Sequence, residues 1–209
     1  MKDFTPKFNS NTFLKKTMCD SMYLDANQFL WRVHYLLRND QFHDRNWYSK
    51  IYVDISMAIE SDLKAIIIAL SKSSEKPEEA YRKARFMSHN IKNLYAEVEL
   101  RAKNRIKLLS KKDRENLIEK YATLNVSNRY DLVTFYGIRD DIKNKNFTDK
   151  SVKYILAYDS LLEFEKIANK LHEISKKAVQ KKPIIAMNGG NMKKYFKRID
   201  KFKTNIGRL

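Results

Sequence analysis

Residues 48–70 constrain the fold of this chain most strongly, because they predict a helix that other helices must surround. Their apolar side chains recur every three or four residues, the repeat of one continuous helix face. This apolar face consists of Ile51, Ile55, Ile59, Leu63, Ile66, Ile67 and Leu70. The segment contains no Gly or Pro, and residues 65–70 include no polar side chain. We therefore predict a central helix that ends near Ser71 and is buried on all sides at its C-terminal end.

The flanking sequence predicts further helices and no strand. Only four glycines and three prolines occur in 209 residues, which favours long helices and few tight turns. Helical spacing predicts helices over the approximate ranges 25–38, 80–86, 91–102, 110–121, 130–136 and 149–179. Ser88-His89-Asn90 and Ser110 supply capping residues for two of them. The expected fold class is all-α, a helical bundle with a basic C-terminal extension.

Composition divides the chain into three parts. Residues 1–20 are polar and mixed, and we expect them to form an extended or poorly ordered arm. Residues 21–180 contain the predicted bundle. Pro183 and the pair Gly189-Gly190 mark a linker within residues 181–209, which form the basic tail.

The net charge of +17 lies largely near the C-terminus, where residues 176–209 contain eleven Lys or Arg and one acid. This excess predicts RNA or another polyanion as a partner. The predicted nucleic-acid-binding residues are Lys193, Lys194, Tyr195, Lys197, Arg198, Lys201 and Lys203. The lysines and the arginine would contact phosphates, and Tyr195 would stack on an unpaired base. Two alternatives stay open: a solvated tail, or aromatic residues that dock this segment on the bundle.

Three motifs follow one another in the order that many HEPN domains (higher eukaryotes and prokaryotes nucleotide-binding) show. The segment DANQFLWRVHYLL precedes ISMAIESDLKAII, and SHNIKNLY follows after a loop. The chain resembles that family over residues 25–95, and more loosely over residues 128–171. The resemblance implies a HEPN-like helical bundle, a homodimer, and a metal-independent ribonuclease of a toxin or antiviral defence system. It also implies an antitoxin or a nucleotidyltransferase as a partner.

The resemblance further implies a catalytic pair, an Arg and a His with four to six residues between them. In that family, His supports acid–base chemistry on the 2′-hydroxyl and Arg stabilises charge on the phosphate. Arg38 and His43 have this spacing, and the polar Asn39 follows the Arg as the family's pattern usually requires. We predict that these three residues are catalytic.

Two other places match the family's pattern in part. Arg139 lies on the late helix where the family places its motif, and we count it as a catalytic candidate, but Asn144 stands where His is expected. Asn cannot exchange protons near neutral pH. Arg82 and His89 also have a suitable spacing, although Lys83 rather than a neutral polar residue follows the Arg.

Several further polar residues have structural interpretations. We expect His34 to be structural beside an apolar face, His89 to begin a helix, and His172 to be solvated on a charged helix end. Glu60 and Lys64 lie four residues apart in the favourable order and predict an ion pair.

The sequence leaves three functional classes open. The first is an RNA-acting HEPN-like endoribonuclease. The second is a catalytically inactive module that binds RNA, nucleotides or a partner protein, and the third is a structural helical protein whose tail engages an acidic partner. No metal-ligand cluster, Gly-rich phosphate loop or membrane-spanning run is visible, so we expect no metal, no cofactor and no membrane partner. The single Cys19 and the polar N-terminus favour a cytoplasmic location.

Overall fold

The computed structural model describes residues 10–42, 45–103, 105–122 and 158–180, together with Lys197. Every regular element in these residues is helical, which confirms the all-α class. The six α-helices are α1 (Ser10–Leu37), α2 (Arg45–Ala69), α3 (Pro77–Phe86), α4 (Ile91–Ala102), α5 (Lys111–Glu115) and α6 (Tyr158–Gln180). A 3-10 turn, Asp40–Phe42, follows α1, and a π-helical segment, Asn116–Tyr121, continues α5. None of the helices in this part of the chain combines the length and apolarity that crossing a bilayer requires.

Helix α2 is the centre of the bundle. It packs against α1, α3, α4 and α6. Side chains on all its faces are therefore buried, and the predicted stripe residues Ile55, Ile59 and Leu63 have no exposed surface. The prediction of a central helix surrounded by others is confirmed. Its acidic residues Asp54, Glu60 and Asp62 are buried with the apolar residues.

Helix α1 begins earlier than the sequence predicted. Residues 10–20, which we expected to be extended or poorly ordered, form its first turns. Leu14, Met18 and Cys19 are buried, and their spacing of four and five places them on one side of the helix. The Asn and Ser residues of this segment suggested a loop, but burial of these three apolar side chains stabilises the helix instead.

The connection between α3 and α4 follows the predicted capping. The Asn90 side chain accepts a hydrogen bond from the backbone N–H of Asn93, which caps the first turn of α4. Ser88 has a φ of 49°, in the left-handed region, and this conformation turns the chain sharply between the two helices. His89 lies between these two residues, so the turn sets its position.

The C-terminal part of the described chain packs against the core of the bundle. Ser110 caps α5 by accepting a hydrogen bond from the Asp113 N–H, as predicted. Tyr121, at the end of the π-helical segment, is buried and stacks on Phe164 of α6 with ring centroids 4.0 Å apart. The predicted helix over 130–136 and the first part of the predicted helix over 149–179 lie outside the described residues.

Candidate functional site

Each histidine in the described residues lies beside a buried carboxylate from another helix. His34 Nδ1 is 3.6 Å from Glu165, His89 Nδ1 is 2.6 Å from Glu60, and His172 Nδ1 is 3.1 Å from Asp62. The three imidazoles differ in exposure: 63% of the His34 side chain, 49% of His89 and 11% of His172 are exposed. Of these three, His89 alone combines a hydrogen bond of ordinary length with access to solvent.

Glu60 and His89 form the pair that we call the His89 centre, and the Glu60 carboxylate is its buried half. Its Oε1 lies 2.6 Å from Lys64 Nζ, and its Oε2 lies 2.6 Å from His89 Nδ1. The Glu60–Lys64 pair predicted from the sequence is thereby confirmed. An ionised Glu60 accepts hydrogen bonds only, so it selects the tautomer of neutral His89 that carries its proton on Nδ1. The lone pair of Nε2 is then available to accept a proton from a bound molecule.

The surface around His89 carries an exposed aromatic ring and several cations. Phe86, three residues before His89, is 92% exposed, the largest value among the exposed apolar side chains of the described residues. Arg82, Arg85 and Lys92 are also exposed. An unpaired base can stack on an exposed ring, and cations attract its phosphates. Residues within seven positions of His89 in the chain thus include the exposed ring of Phe86 and the exposed cations Arg82, Arg85 and Lys92.

The pair formed by His172 and Asp62 is structural. Both side chains are buried, and the imidazole stacks on Tyr23 with ring centroids 4.5 Å apart and an interplanar angle of 6°. Burial raises the pKa of Asp62 above its ordinary value, and the hydrogen bond with His172 opposes this rise. The expectation that His172 is solvated was wrong, because α6 turns this residue toward α2 rather than toward water.

Arg38, a predicted catalytic residue, is engaged by a carboxylate. Its Nη1 and Nη2 atoms donate to the two carboxylate oxygens of Glu165 at 2.9 and 3.2 Å. The Glu165 side chain is 4% exposed, whereas that of Arg38 is 46% exposed. A phosphate at Arg38 would therefore compete with this bidentate pair. The neighbouring His34, which we expected to be structural beside an apolar face, is 63% exposed with Nδ1 3.6 Å from Glu165.

Asn39, predicted to act beside Arg38, has a local role in the described structure. Its side-chain oxygen lies 3.4 Å from the backbone nitrogen of Gln41, at the start of the 3-10 turn. Its backbone carbonyl accepts a hydrogen bond from the N–H of Phe42. These contacts shape the connection from α1 to α2.

Two basic grooves adjoin the segment between α4 and α5, and both are lined by Arg105. The larger has a volume of about 530 Å³ and includes the cations Lys107, Lys170 and Lys177. The smaller has a volume of about 380 Å³ and includes Lys72, Lys83 and Lys103. Cations thus extend over this surface of the bundle, and the positive charge of the protein is not confined to the tail.

Several predicted site residues lie outside the described part of the chain. These are His43, Arg139, Lys193, Lys194, Tyr195, Arg198, Lys201 and Lys203. Lys197 is described and is exposed. The roles predicted for these residues therefore stay predictions.

Comparison with protein-family models, with curated proteins and with solved structures finds no match for this chain. The residues of the candidate centre are consequently identified by geometry alone. Sequence analysis assigned Glu60 to an ion pair and His89 to a helix start. One sequence feature could have identified Glu60. It lies on a helix that was predicted to be surrounded by other helices, and a buried carboxylate there needs several hydrogen-bond partners.

Proposed function

We propose that this protein binds RNA and cleaves it without a metal ion, with His89 as the acid–base group. The observation that carries this proposal is the 2.6 Å hydrogen bond between a half-exposed imidazole and the buried Glu60 carboxylate. Such a pair supports proton transfer, because the carboxylate holds the ring in one orientation and stabilises the imidazolium that forms. The resemblance to HEPN domains agrees with this chemistry.

The proposed reaction is an internal transesterification of RNA. Nε2 of His89 accepts the proton of a ribose 2′-hydroxyl, and the 2′-oxygen attacks the adjacent phosphorus. The bond from phosphorus to the 5′-oxygen breaks, the leaving oxygen takes up a proton from water, and a 2′,3′-cyclic phosphate remains. His89 then gives the proton it accepted to the hydroxide that this leaves. Arg82, Arg85 or Lys92 would stabilise the charge on the phosphate, and the ring of Phe86 would stack on a neighbouring base.

The pair Arg38 and His43 is the competing catalytic centre. Its support is the family-like spacing with Asn39 between the two residues. The bidentate bond of Arg38 to Glu165 weighs against it, since that guanidinium already has an anionic partner. Arg139 on the late segment is a third candidate for the residue that holds the phosphate.

Cleavage of a synthetic single-stranded RNA in the presence of EDTA distinguishes these centres. We expect His89→Ala to lower the cleavage rate by about 10²–10⁴-fold, the usual effect of removing an acid–base group. His34→Ala is the matched control, because it removes an exposed histidine that also lies beside a buried carboxylate. His34→Ala should cleave at the wild-type rate.

Four further variants complete this test. If His43→Ala or Arg139→Ala abolishes cleavage while His89→Ala cleaves normally, the assignment to His89 is wrong. Arg82→Ala and Arg85→Ala identify the cation that contacts the phosphate. The variant that lacks this cation should cleave RNA more slowly, while its circular dichroism spectrum should match that of the wild type. The cyclic phosphate product is checked by its resistance to labelling at the 3′ end.

The alternative function is a catalytically inactive module that binds RNA, a nucleotide or a partner protein. The basic grooves beside Arg105 favour it, because their lining contains more Lys and Arg than Asp and Glu and includes no histidine. Under this alternative wild-type protein binds RNA but cleaves none. The expected homodimer and an antitoxin or nucleotidyltransferase partner belong to either proposal, and co-purification with a neighbouring gene product tests the partner.

A further inference from the structure

An aromatic surface on the C-terminal half of α1 is separate from the His89 centre. Trp31 is 71% exposed and Tyr35 is 51% exposed. Two further rings extend this surface toward the core. The centroids of Tyr35 and Phe42 are 6.1 Å apart, and those of Phe42 and Trp47 are 4.5 Å apart. Phe42 and Trp47 pack against the hydrophobic core. The two outer rings are therefore connected to the core through the two inner ones, and we call these four residues the aromatic row.

The outer pair of the aromatic row has a geometry that suits a nucleobase. The rings of Trp31 and Tyr35 are near parallel, with an interplanar angle of 15° and centroids 6.1 Å apart. Near-parallel exposed rings on one face of a helix form a platform, and an unpaired base can stack on the outer face of Trp31.

Cations outnumber exposed carboxylates beside the aromatic row. Arg32 pairs with Asp54, and Arg38 pairs with Glu165. In each pair the arginine side chain is about half exposed, at 52% and 46%, whereas the carboxylates are only 11% and 4% exposed. Lys50 adds a further cation, with Nζ 4.6 Å from the centroid of the Trp47 ring, and the exposed Asp40 of the 3-10 turn adds an anion. A polyanion that approaches this surface therefore meets the ammonium group of Lys50 and two half-exposed guanidinium groups that already have carboxylate partners.

We infer that the aromatic row binds the unpaired bases of single-stranded RNA, with the phosphates directed toward Lys50. This inference rests on the proposed function in taking RNA as the partner, but it does not depend on cleavage. Exposed rings beside cations are the combination by which proteins hold single strands with little sequence preference. A second copy of this chain is a poorer occupant, because two surfaces of the same positive sign repel each other.

The fluorescence of Trp31 tests the inference directly. Trp31 and Trp47 are the two tryptophans of the chain, so Trp47→Phe leaves Trp31 as the sole emitter. The probe is a short oligouridylate with 2′-O-methyl groups, which cannot undergo attack by a 2′-oxygen and therefore reports binding alone. We expect it to quench Trp31 with saturation. Heparin, a polyanion without bases, is the matched probe and should bind without quenching.

Substitutions separate this surface from the His89 centre. Trp31→Ala and Tyr35→Ala should each weaken oligouridylate binding by about 5- to 150-fold, the effect of losing one stacked base. His89→Ala should leave the quenching of Trp31 unchanged, so failure of the cleavage proposal and failure of this inference give different results. Leu100→Ala removes an apolar side chain of α4 that is 59% exposed, so it controls for general loss of exposed apolar surface and should leave binding unchanged.

Three results would overturn the inference. The first is the absence of Trp31 quenching by the oligouridylate while binding is detected by another method. The second is equal quenching by heparin, which would indicate a response to charge alone. The third is that Trp31→Ala converts a dimer to a monomer, as measured by light scattering, while its affinity for RNA is unchanged. That result would mean that the aromatic row binds a second copy of this chain.

Discussion

Leu63 lies in the middle of α2 with no exposed surface, next to Asp62, which is also fully buried. An apolar and a charged residue thus lie side by side in the interior of the bundle. Burial of Leu63 stabilises the fold because it removes an apolar side chain from water. Burial of Asp62 costs free energy of desolvation, which the hydrogen bond with His172 offsets. Substitutions at these positions should therefore reduce stability for different physical reasons.

The first prediction concerns the apolar core. Leu63→Ala should lower the free energy of unfolding by about 2–5 kcal/mol, because it removes buried methyl groups and leaves a cavity. Urea unfolding followed by circular dichroism measures the change. Leu100→Ala is the control, since Leu100 is 59% exposed and its substitution should cost less than about 0.5 kcal/mol. Equal effects at the two positions would contradict a central α2.

The second prediction concerns the buried pair. His172→Ala should lower the free energy of unfolding by about 3–5 kcal/mol, because it leaves Asp62 buried without its partner. The same substitution at the exposed His34 should change stability by less than about 0.5 kcal/mol. A His172 variant that unfolds at the wild-type urea concentration would show that this pair contributes little.

At the scale of elements, one arginine joins three parts of the bundle. Arg101 of α4 donates to both oxygens of Glu75 in the α2–α3 connection, at 2.6 and 2.8 Å. It also donates to Glu97 of α4 and to the backbone carbonyl of Ile67 in α2. The hydrogen bonds from Arg101 hold the pKa of Glu75 below its ordinary value of 4.5, against an opposing effect of burial.

The third prediction follows from the sign of that pKa change. A carboxyl with a lowered folded-state pKa contributes stability above its ordinary pKa, and this contribution disappears as the pH falls through the lowered value. Wild-type protein should therefore be more stable than Glu75→Gln at about pH 6, and the difference should shrink toward about pH 3. Urea unfolding at a series of pH values measures it. If the stability difference between the wild type and Glu75→Gln stays constant with pH, the pKa of Glu75 is the same in the folded and unfolded states, which would contradict this prediction.

At the scale of the whole molecule, exposed cations occur on several surfaces of the described bundle, and exposed rings accompany some of them. Cations line the grooves beside Arg105, and Arg82, Arg85 and Lys92 lie near His89 in the chain. The aromatic row extends from α1 to the start of α2. A net charge of +17 attracts polyanions to all of them. The contribution of the tail therefore has to be separated from that of the bundle by experiment.

The fourth prediction separates them through salt dependence. Removing residues 184–209 deletes seven Lys or Arg residues. The slope of log affinity against log salt for single-stranded RNA should become flatter by about 0.7 for each phosphate that the tail neutralises in the full-length protein. Fluorescence anisotropy at several salt concentrations measures the slope. Because α6 ends at Gln180, the helical content of the bundle should be retained, and an unchanged slope would exclude the tail as the main electrostatic determinant of binding.

The sequence by itself determined the all-α class, the central position of α2 and the caps at Asn90 and Ser110. These features depend on residues within a few positions of one another, where helical periodicity and capping act. It did not predict the helical start of α1 at Ser10, because burial of Leu14 and Met18 outweighs the local preference of the polar residues around them.

Only the tertiary structure decided which carboxylate each histidine lies beside. Glu60 and His89 are 29 residues apart in the chain, Asp62 and His172 are 110 apart, and Arg38 and Glu165 are 127 apart. Each pairing depends on how two helices pack and on how far each is rotated about its axis. A rotation of one residue step, about 100°, would turn any of these side chains away from its partner. Local sequence patterns therefore located the helices, and the packing of the helices formed the site.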